Sequence, residues 1–152
     1  MIKKLIIFVL CISPWFLSNL LPLDYNYFKE INTPFFTPPK AFYPIAWTII
    51  YILIAITTYT IFTQYKFKDI PKSYKLTLLI NYIFNQSFTI IFFGLKNNFL
   101  GFISCLLTFL SCLFLYKETS LLQGKLSKLL YPYIGLSIFA TILSLSIYLL
   151  NI

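Results

Sequence analysis

Residues 41–65 read AFYPIAWTIIYILIAITTYTIFTQY, a run without a single charged side chain. A helix needs roughly 20 apolar residues to cross a hydrocarbon core of about 30 Å, so this stretch is long enough to span a bilayer. Four similar runs surround it: Leu5–Leu23, Leu76–Leu95, Asn97–Tyr116 and Leu129–Ile152. The 12 lysines and 4 acidic residues all fall before, between or just outside these runs. Backbone polar groups must be satisfied internally in lipid, and uninterrupted runs of this length satisfy them as helices. Barrel strands would show alternating polarity over about ten residues, which is absent here.

The expected fold is therefore all-α and integral to the membrane, a bundle of five transmembrane helices. The sequence places them near 5–23, 42–65, 76–95, 98–116 and 129–150, in one domain over residues 1–152. With 152 residues and a mean hydropathy of +0.83, almost no chain is left for a soluble domain. The longest connection is the first, from Asp24 to Lys40, which is rich in proline and aromatic residues.

A net charge of +8 could indicate nucleic acid. Its distribution indicates topology instead. If the helices alternate in direction, Lys3, Lys4, Lys66, Lys68, Lys72, Lys75, Lys117, Lys125 and Lys128 share one side. Lys29, Lys40 and Lys96 share the other, with Asp24 and Glu30. Nine lysines against three follows the positive-inside bias, which places the N-terminus in the cytoplasm and the C-terminus outside. The opening Met-Ile-Lys-Lys before Leu5–Leu10 also resembles a signal peptide, but Trp15, Phe16 and Leu17 prolong the apolar stretch. A retained first helix is the expectation.

Cys11, Cys105 and Cys112 lie inside apolar runs without paired spacing, and the chain has no histidine. They read as buried small apolar residues rather than a disulfide or metal site, and zinc of the usual kind is excluded. No paired carboxylates, nucleophile–base pair or phosphate-binding glycine loop is present, so a catalytic role is not expected.

In the first loop, Pro34, Pro38 and Pro39 deny a regular helix, and Tyr25, Tyr27, Phe28, Phe35 and Phe36 offer apolar surface. Either an interfacial aromatic belt or a lid over the helix mouths fits. Trp47, Tyr51 and Ala55 share one helix face, as do Asn81, Asn85, Phe88 and Phe92. Ser104, Thr108 and Ser111 form a small polar stripe suited to close helix approach, and Tyr133, Ser137, Ala140 and Ser144 form another face. Asn85, within an apolar run, needs a partner: it is interhelical glue or a ligand contact, and spacing by itself favours glue.

Three blocks carry a family resemblance. Thr33-Pro34-Phe35-Phe36-Thr37-Pro38-Pro39, followed by Phe42, Pro44, Trp47 and Tyr51, resembles the signature of the TspO/translocator protein family. Asn85 to Gly94 is similar to the family's third-helix block. Leu129-Leu130-Tyr131-Pro132-Tyr133 with Phe139-Ala140-Thr141 is similar to its fifth-helix block. The family's tryptophans are replaced here by Phe36, Phe88 and Leu136, its fifth-helix asparagine by Ser144, and a frequent fourth-helix acid by Ser104. The C-terminal sterol-recognition pattern of animal members is missing after Tyr148.

The resemblance implies a pocket lined by Trp47, Tyr51, Asn85, Phe88, Tyr133 and Ala140, with Phe36, Pro38 and Pro39 contributed by the lid. It implies a receptor or sensor for tetrapyrroles, protoporphyrin or haem, and for lipids, acting as a homodimer in the bilayer. No resident cofactor, metal or nucleic acid is implied. Transport of such ligands is the alternative, and light-dependent porphyrin breakdown a weaker one given the depleted tryptophans. The resemblance also moves Asn85 toward ligand contact.

Overall fold

Four of the five apolar runs fold into helices long and apolar enough to cross a membrane. A computed structural model describes residues 2–152, with Lys3 described by its backbone alone; the Lys3 side chain counted in the charge bias therefore lies outside the described residues. The helices are α1 (Ile2–Ile12), the one-turn α2 (Tyr27–Glu30), α3 (Phe42–Gln64), α4 (Lys72–Thr89), α5 (Asn98–Leu122), the one-turn α6 (Gly124–Ser127) and α7 (Tyr131–Leu150). Among the described residues there is no strand.

The first run corrects the expectation of five equivalent spans. α1 stops at Ile12, and Ser13–Leu20 continues as a 3-10 helix. Pro14 lacks the N–H that an α-helix interior requires, and its ring crowds the preceding turn. The apolar helix of Lys4–Leu20 is consequently shorter than the other four. The bundle has four long apolar helices and one shorter one.

Charge ends an apolar run but does not end a helix. α4 begins at Lys72 rather than near 76, and α5 continues past Lys117 and Glu118 to Leu122. Backbone hydrogen bonding carries on beyond the hydrocarbon, where lysine stems can lead their ammonium groups into water. Local chemistry fixes other boundaries. The Asn97 side chain caps α5 by accepting from the Leu100 N–H at 2.9 Å. Pro132 sits in the first turn of α7, where a missing N–H costs nothing.

α5 packs along both α4 and α7. Its Ser104, Thr108 and Ser111 are buried, as the polar stripe required. Small side chains let neighbouring helix backbones approach closely. Ser104 Oγ donates to the Phe84 carbonyl at 3.0 Å and lies 2.9 Å from Ser87 Oγ. Gly101 is needed where α5 meets Phe92: a Cβ there would stand 3.0 Å from the Phe92 ring.

The two ends of the bundle are tied separately. At one end Ser73 Oγ donates to Glu118 at 2.7 Å, the Tyr65 hydroxyl donates to the Leu122 carbonyl at 3.2 Å, and Gln123 meets Gln64. The second and fourth connections therefore share an end, where the sequence puts most of the lysines. At the other end the Asn32 N–H donates to Asn151 Oδ1 at 2.9 Å, and Asn151 Nδ2 donates back to the Asn32 carbonyl at 2.8 Å.

The first loop folds over one end of the bundle, with some of its aromatic rings packed and one exposed. Tyr27 is buried, its ring 5.5 Å from that of Phe92, while Phe28 packs against Tyr43 at 5.8 Å. Phe35 points out, fully exposed. The aromatic residues divide because α2 turns Tyr27 and Phe28 inward, while the proline-rich stretch leaves Phe35 outside and Phe36 half-buried.

Candidate functional site

Beneath this loop, between α3, α4, α5 and α7, lies a cavity of about 480 Å³. That volume lies within the roughly 300–1,000 Å³ typical of small-molecule pockets. Its walls are aromatic. Trp47 and Tyr51 project from α3, Phe88 from α4, and Phe92 and Phe93 from the turn that ends it. Trp47 lies 5.8 Å from the Tyr51 ring and edge-on to Tyr133 at 6.3 Å. Phe88 stacks on Phe92 at 5.2 Å with an interplanar angle of 17°. Such pairs hold one another in place and add about 0.5–1.5 kcal/mol beyond burial.

Uncharged polar side chains, among them Asn19, Thr48, Ser137 and Asn85, complete the lining, and Asn85 is the one tied into a buried network. Its Oδ1 accepts from the Tyr51 hydroxyl at 3.0 Å and from Gln86 Nε2 at 3.1 Å, and its Nδ2 donates to the Tyr133 hydroxyl at 3.4 Å. Tyr133 in turn donates to Asn81 Oδ1 at 2.9 Å, and Asn81 Nδ2 donates to Ser111 Oγ at 2.9 Å. Gln86 Nε2 also donates to the Trp15 carbonyl at 3.0 Å, while Gln86 Oε1 accepts from the Ser18 N–H at 3.1 Å. One connected network therefore ties α3, α4, α5, α7 and the 3-10 stretch together behind the cavity. In membrane proteins each such bond contributes about 0.6–2 kcal/mol. Gluing helices and facing the cavity coexist in Asn85.

Of the residues singled out from sequence, Trp47, Tyr51, Asn85, Phe88 and Ala140 line this cavity. Tyr133 is fully buried behind it, touching the site through Trp47 and Asn85. Phe36, Pro38 and Pro39 are not part of its lining. Phe36 packs edge-on to Phe139 at 6.4 Å and borders a separate shallow depression with Thr33, Pro34 and Leu150. The loop residues that do line the cavity are Tyr25, Phe28 and Lys40. The aromatic character of Tyr25 and Phe28 is visible in the sequence, but which of the five loop aromatics turns inward depends on α2. Phe16, from the 3-10 stretch, also lines the cavity, and no sequence signal distinguished it.

The turn that closes the α4 wall is unusual. Ile90–Gly94 forms a π-helical turn, with the Leu95 N–H donating to the Ile90 carbonyl at 3.1 Å. π-turns widen a helix locally and are frequent at functional sites. Lys96 follows in the left-handed region at φ 50°, a conformation costly for a residue with a Cβ. Contacts from the first loop hold it there. The Lys96 carbonyl accepts from the Tyr27 hydroxyl at 3.2 Å, and Nζ lies 2.8 Å from Asp24 and 3.6 Å from Glu30. The hydrogen bond from the Lys96 ammonium holds the Asp24 carboxyl below the usual carboxylate range. This latch fastens the loop to the far wall of the cavity.

Long apolar helices, a buried polar network and an aromatic cavity under a latched loop define a helical multi-pass membrane protein with an internal small-molecule-sized chamber. The profile of the TspO/MBR family matches residues 5–150, and the chain belongs to that family. It is 36% identical over 150 residues to the tryptophan-rich protein TspO of Bacillus cereus, covering 98% of this chain and 97% of that one. It is 33% identical over 130 residues to the tryptophan-rich protein TspO of Archaeoglobus fulgidus, covering 83% and 80% respectively. It is also 33% identical over 133 residues to the membrane protein YtaB of Bacillus subtilis, covering 88% and 85%.

Proposed function

We propose that this protein is a membrane receptor or sensor that binds tetrapyrroles such as protoporphyrin or haem, and lipids, in the cavity beneath the first loop. The observation that supports this most is the composition of the walls: Trp47, Tyr51, Phe88 and Phe92 beside a few uncharged polar groups, Asn85 among them. Flat aromatic walls stack on a flat conjugated ligand, and few polar groups are then needed to orient it. The latched loop fits a ligand that is held rather than passed through.

The test is a fluorescence titration of the full-length protein in nanodiscs with protoporphyrin, haem and a sterol. Trp15 and Trp47 are the two tryptophans, and Trp47 lines the cavity, so quenching reports occupancy. Saturable quenching by the tetrapyrroles at stoichiometric protein supports the proposal. Its absence overturns it. Uptake into sealed vesicles would assign transport instead, and product formation under light would assign catalysis.

A further inference from the structure

The connection between α3 and α4 carries Lys66, Lys68, Lys72 and Lys75 around one exposed aromatic residue, Phe67. The Asp69 N–H donates to the Lys66 carbonyl at 2.8 Å, closing a turn with Phe67 and Lys68 at its tip. Ile70 is buried and anchors the turn in the bundle. Lys75 fixes the depth of Phe67. Its ammonium lies 4.3 Å from the centre of the Phe67 ring and donates to the Phe67 carbonyl at 3.0 Å. The next residue, Leu76, is exposed and opens the apolar face that α4 continues through Leu79, Ile80 and Ile83. That face belongs in hydrocarbon, so the Phe67 ring stands at the boundary with the headgroups, where aromatic rings are favoured.

The cations around the ring have no carboxylate partner within the chain. Asp69 and Glu118 are the acidic residues at this end, and among the described residues neither is within ion-pair distance of a lysine. Glu118 instead accepts from Ser73. The adjoining connection, tied on through Tyr65 and Gln123, repeats the combination with Lys125 and Leu121, both exposed. A bias that only orients the chain requires lysines in the loops, not apolar side chains exposed among them.

From this arrangement we infer that the connection between α3 and α4 is a binding site for an anionic phospholipid of the leaflet it faces. Lys66, Lys68 and Lys72 hold the negatively charged headgroup, and Phe67 packs against the first carbons of the acyl chains. Lysines at a membrane surface attract anionic headgroups over about a Debye length. Their long stems carry the ammonium groups to the phosphate while the methylenes stay on apolar surface. The site lies at the opposite end of the bundle from the cavity under the first loop, and the inference stands whatever that cavity binds.

The test is native mass spectrometry of the full-length protein in detergent, titrated with palmitoyl-oleoyl phosphatidylglycerol or with the phosphatidylcholine of the same chains. The parent is expected to bind phosphatidylglycerol about tenfold more tightly, the scale of one to two lysines at a membrane surface. The triple variant Lys66→Gln, Lys68→Gln, Lys72→Gln should lose most of that preference and keep its affinity for phosphatidylcholine. Phe67→Ser should weaken both lipids alike, and Lys29→Gln, at the other end of the bundle, should bind as the parent does. Equal binding of the two lipids by the parent overturns the inference. So does a preference that survives in the triple variant, which places the anionic lipid elsewhere, or parent-like binding of both lipids by Phe67→Ser. Displacement of phosphatidylglycerol by an equal concentration of glycerol 3-phosphate would show a site for soluble phosphates and overturn the lipid assignment. All the substituted side chains are exposed, so the variants are expected to fold, and an unchanged melting temperature in lipid-free detergent establishes that.

Discussion

The Tyr51 hydroxyl donates to Asn85 Oδ1 at 3.0 Å, joining α3 to α4 at the wall of the cavity. Because the same oxygen also accepts from Gln86, Asn85 has both structural and cavity-facing duties. Asn85→Leu removes the acceptor from two buried donors. It is expected to destabilise the protein by about 1–2 kcal/mol, seen as a lower melting temperature in detergent. Tyr51→Phe should cost less, and the double variant should cost less than the sum, since both break one bond. Strict additivity in the double-mutant cycle would show that the pair is not coupled. Titrating ligand on the same preparations separates lost affinity from lost fold.

Trp47 stands against Tyr51 and Tyr133 on the cavity wall. Trp47→Ala is expected to weaken protoporphyrin binding by roughly 1–3 kcal/mol, about tenfold to hundredfold. Leu53→Ala, on the same helix but outside the lining, should bind as the parent does. Trp15 remains as the fluorescent reporter in the first variant, and calorimetry provides an independent reading. Parent-like affinity in both variants would place the ligand elsewhere.

The Asp24–Lys96 latch predicts a pH and salt response of the first loop. Asp24 is held below its ordinary range, which is near 3.9 for a free carboxylate. Its contribution to loop closure is therefore fully present above that range and is lost as pH falls through the lowered value. Amide protection factors across residues 24–31 should stay level from neutral pH to about 5 and drop in stronger acid. Lys96→Met should lower them at neutral pH, and molar salt should do so partially, since the pair is exposed. Protection that is indifferent to all three would show that Tyr27 packing, not charge, closes the loop.

Gly101 within α5 and Gly135 within α7 should behave oppositely. At Gly101 a Cβ would meet Phe92, which is buried and stacked on Phe88, so Gly101→Ala forces that wall to move. A loss of about 1–3 kcal/mol is expected, with weakened ligand binding. At Gly135 a Cβ would meet nothing within 4 Å, so Gly135→Ala should gain the helix preference of alanine, about 0.5–1 kcal/mol. Thermal melts of both variants in one detergent decide the comparison.

The lysine split predicts an N-terminus in the cytoplasm and a C-terminus outside, which requires the shorter first helix to cross as well. Its geometry permits this, because 3-10 coil rises about 2.0 Å per residue against 1.5 Å for an α-helix, stretching residues 2–20 to roughly 30 Å. Alkaline phosphatase fused after Ile152 should be active, and a cytoplasm-dependent fluorescent protein there should stay dark. The reverse pattern would invert the topology. Activity of reporters on the same side at both termini would remove the first crossing.

The sequence by itself determined what depends on local period and length. Apolar runs set the long helices, and the face carrying Asn81, Asn85 and Phe88 and the stripe of Ser104, Thr108 and Ser111 both followed from helical spacing. Helix ends were less legible, because α4 and α5 extend past their apolar runs into charged residues. The Pro14 break was present in the residues, yet its consequence depended on whether the chain would kink, end or tighten there. Tertiary structure decided everything that needed two distant segments in register. It turned Tyr25, Phe28 and Lys40 toward the cavity and left Phe36, Pro38 and Pro39 outside its lining. It also set Lys96 in a left-handed turn between Asp24 and Glu30, 72 and 66 positions away in sequence. Such pairings have no period to read, since they arise only when packing of α4 against α5 brings that turn beneath the first loop.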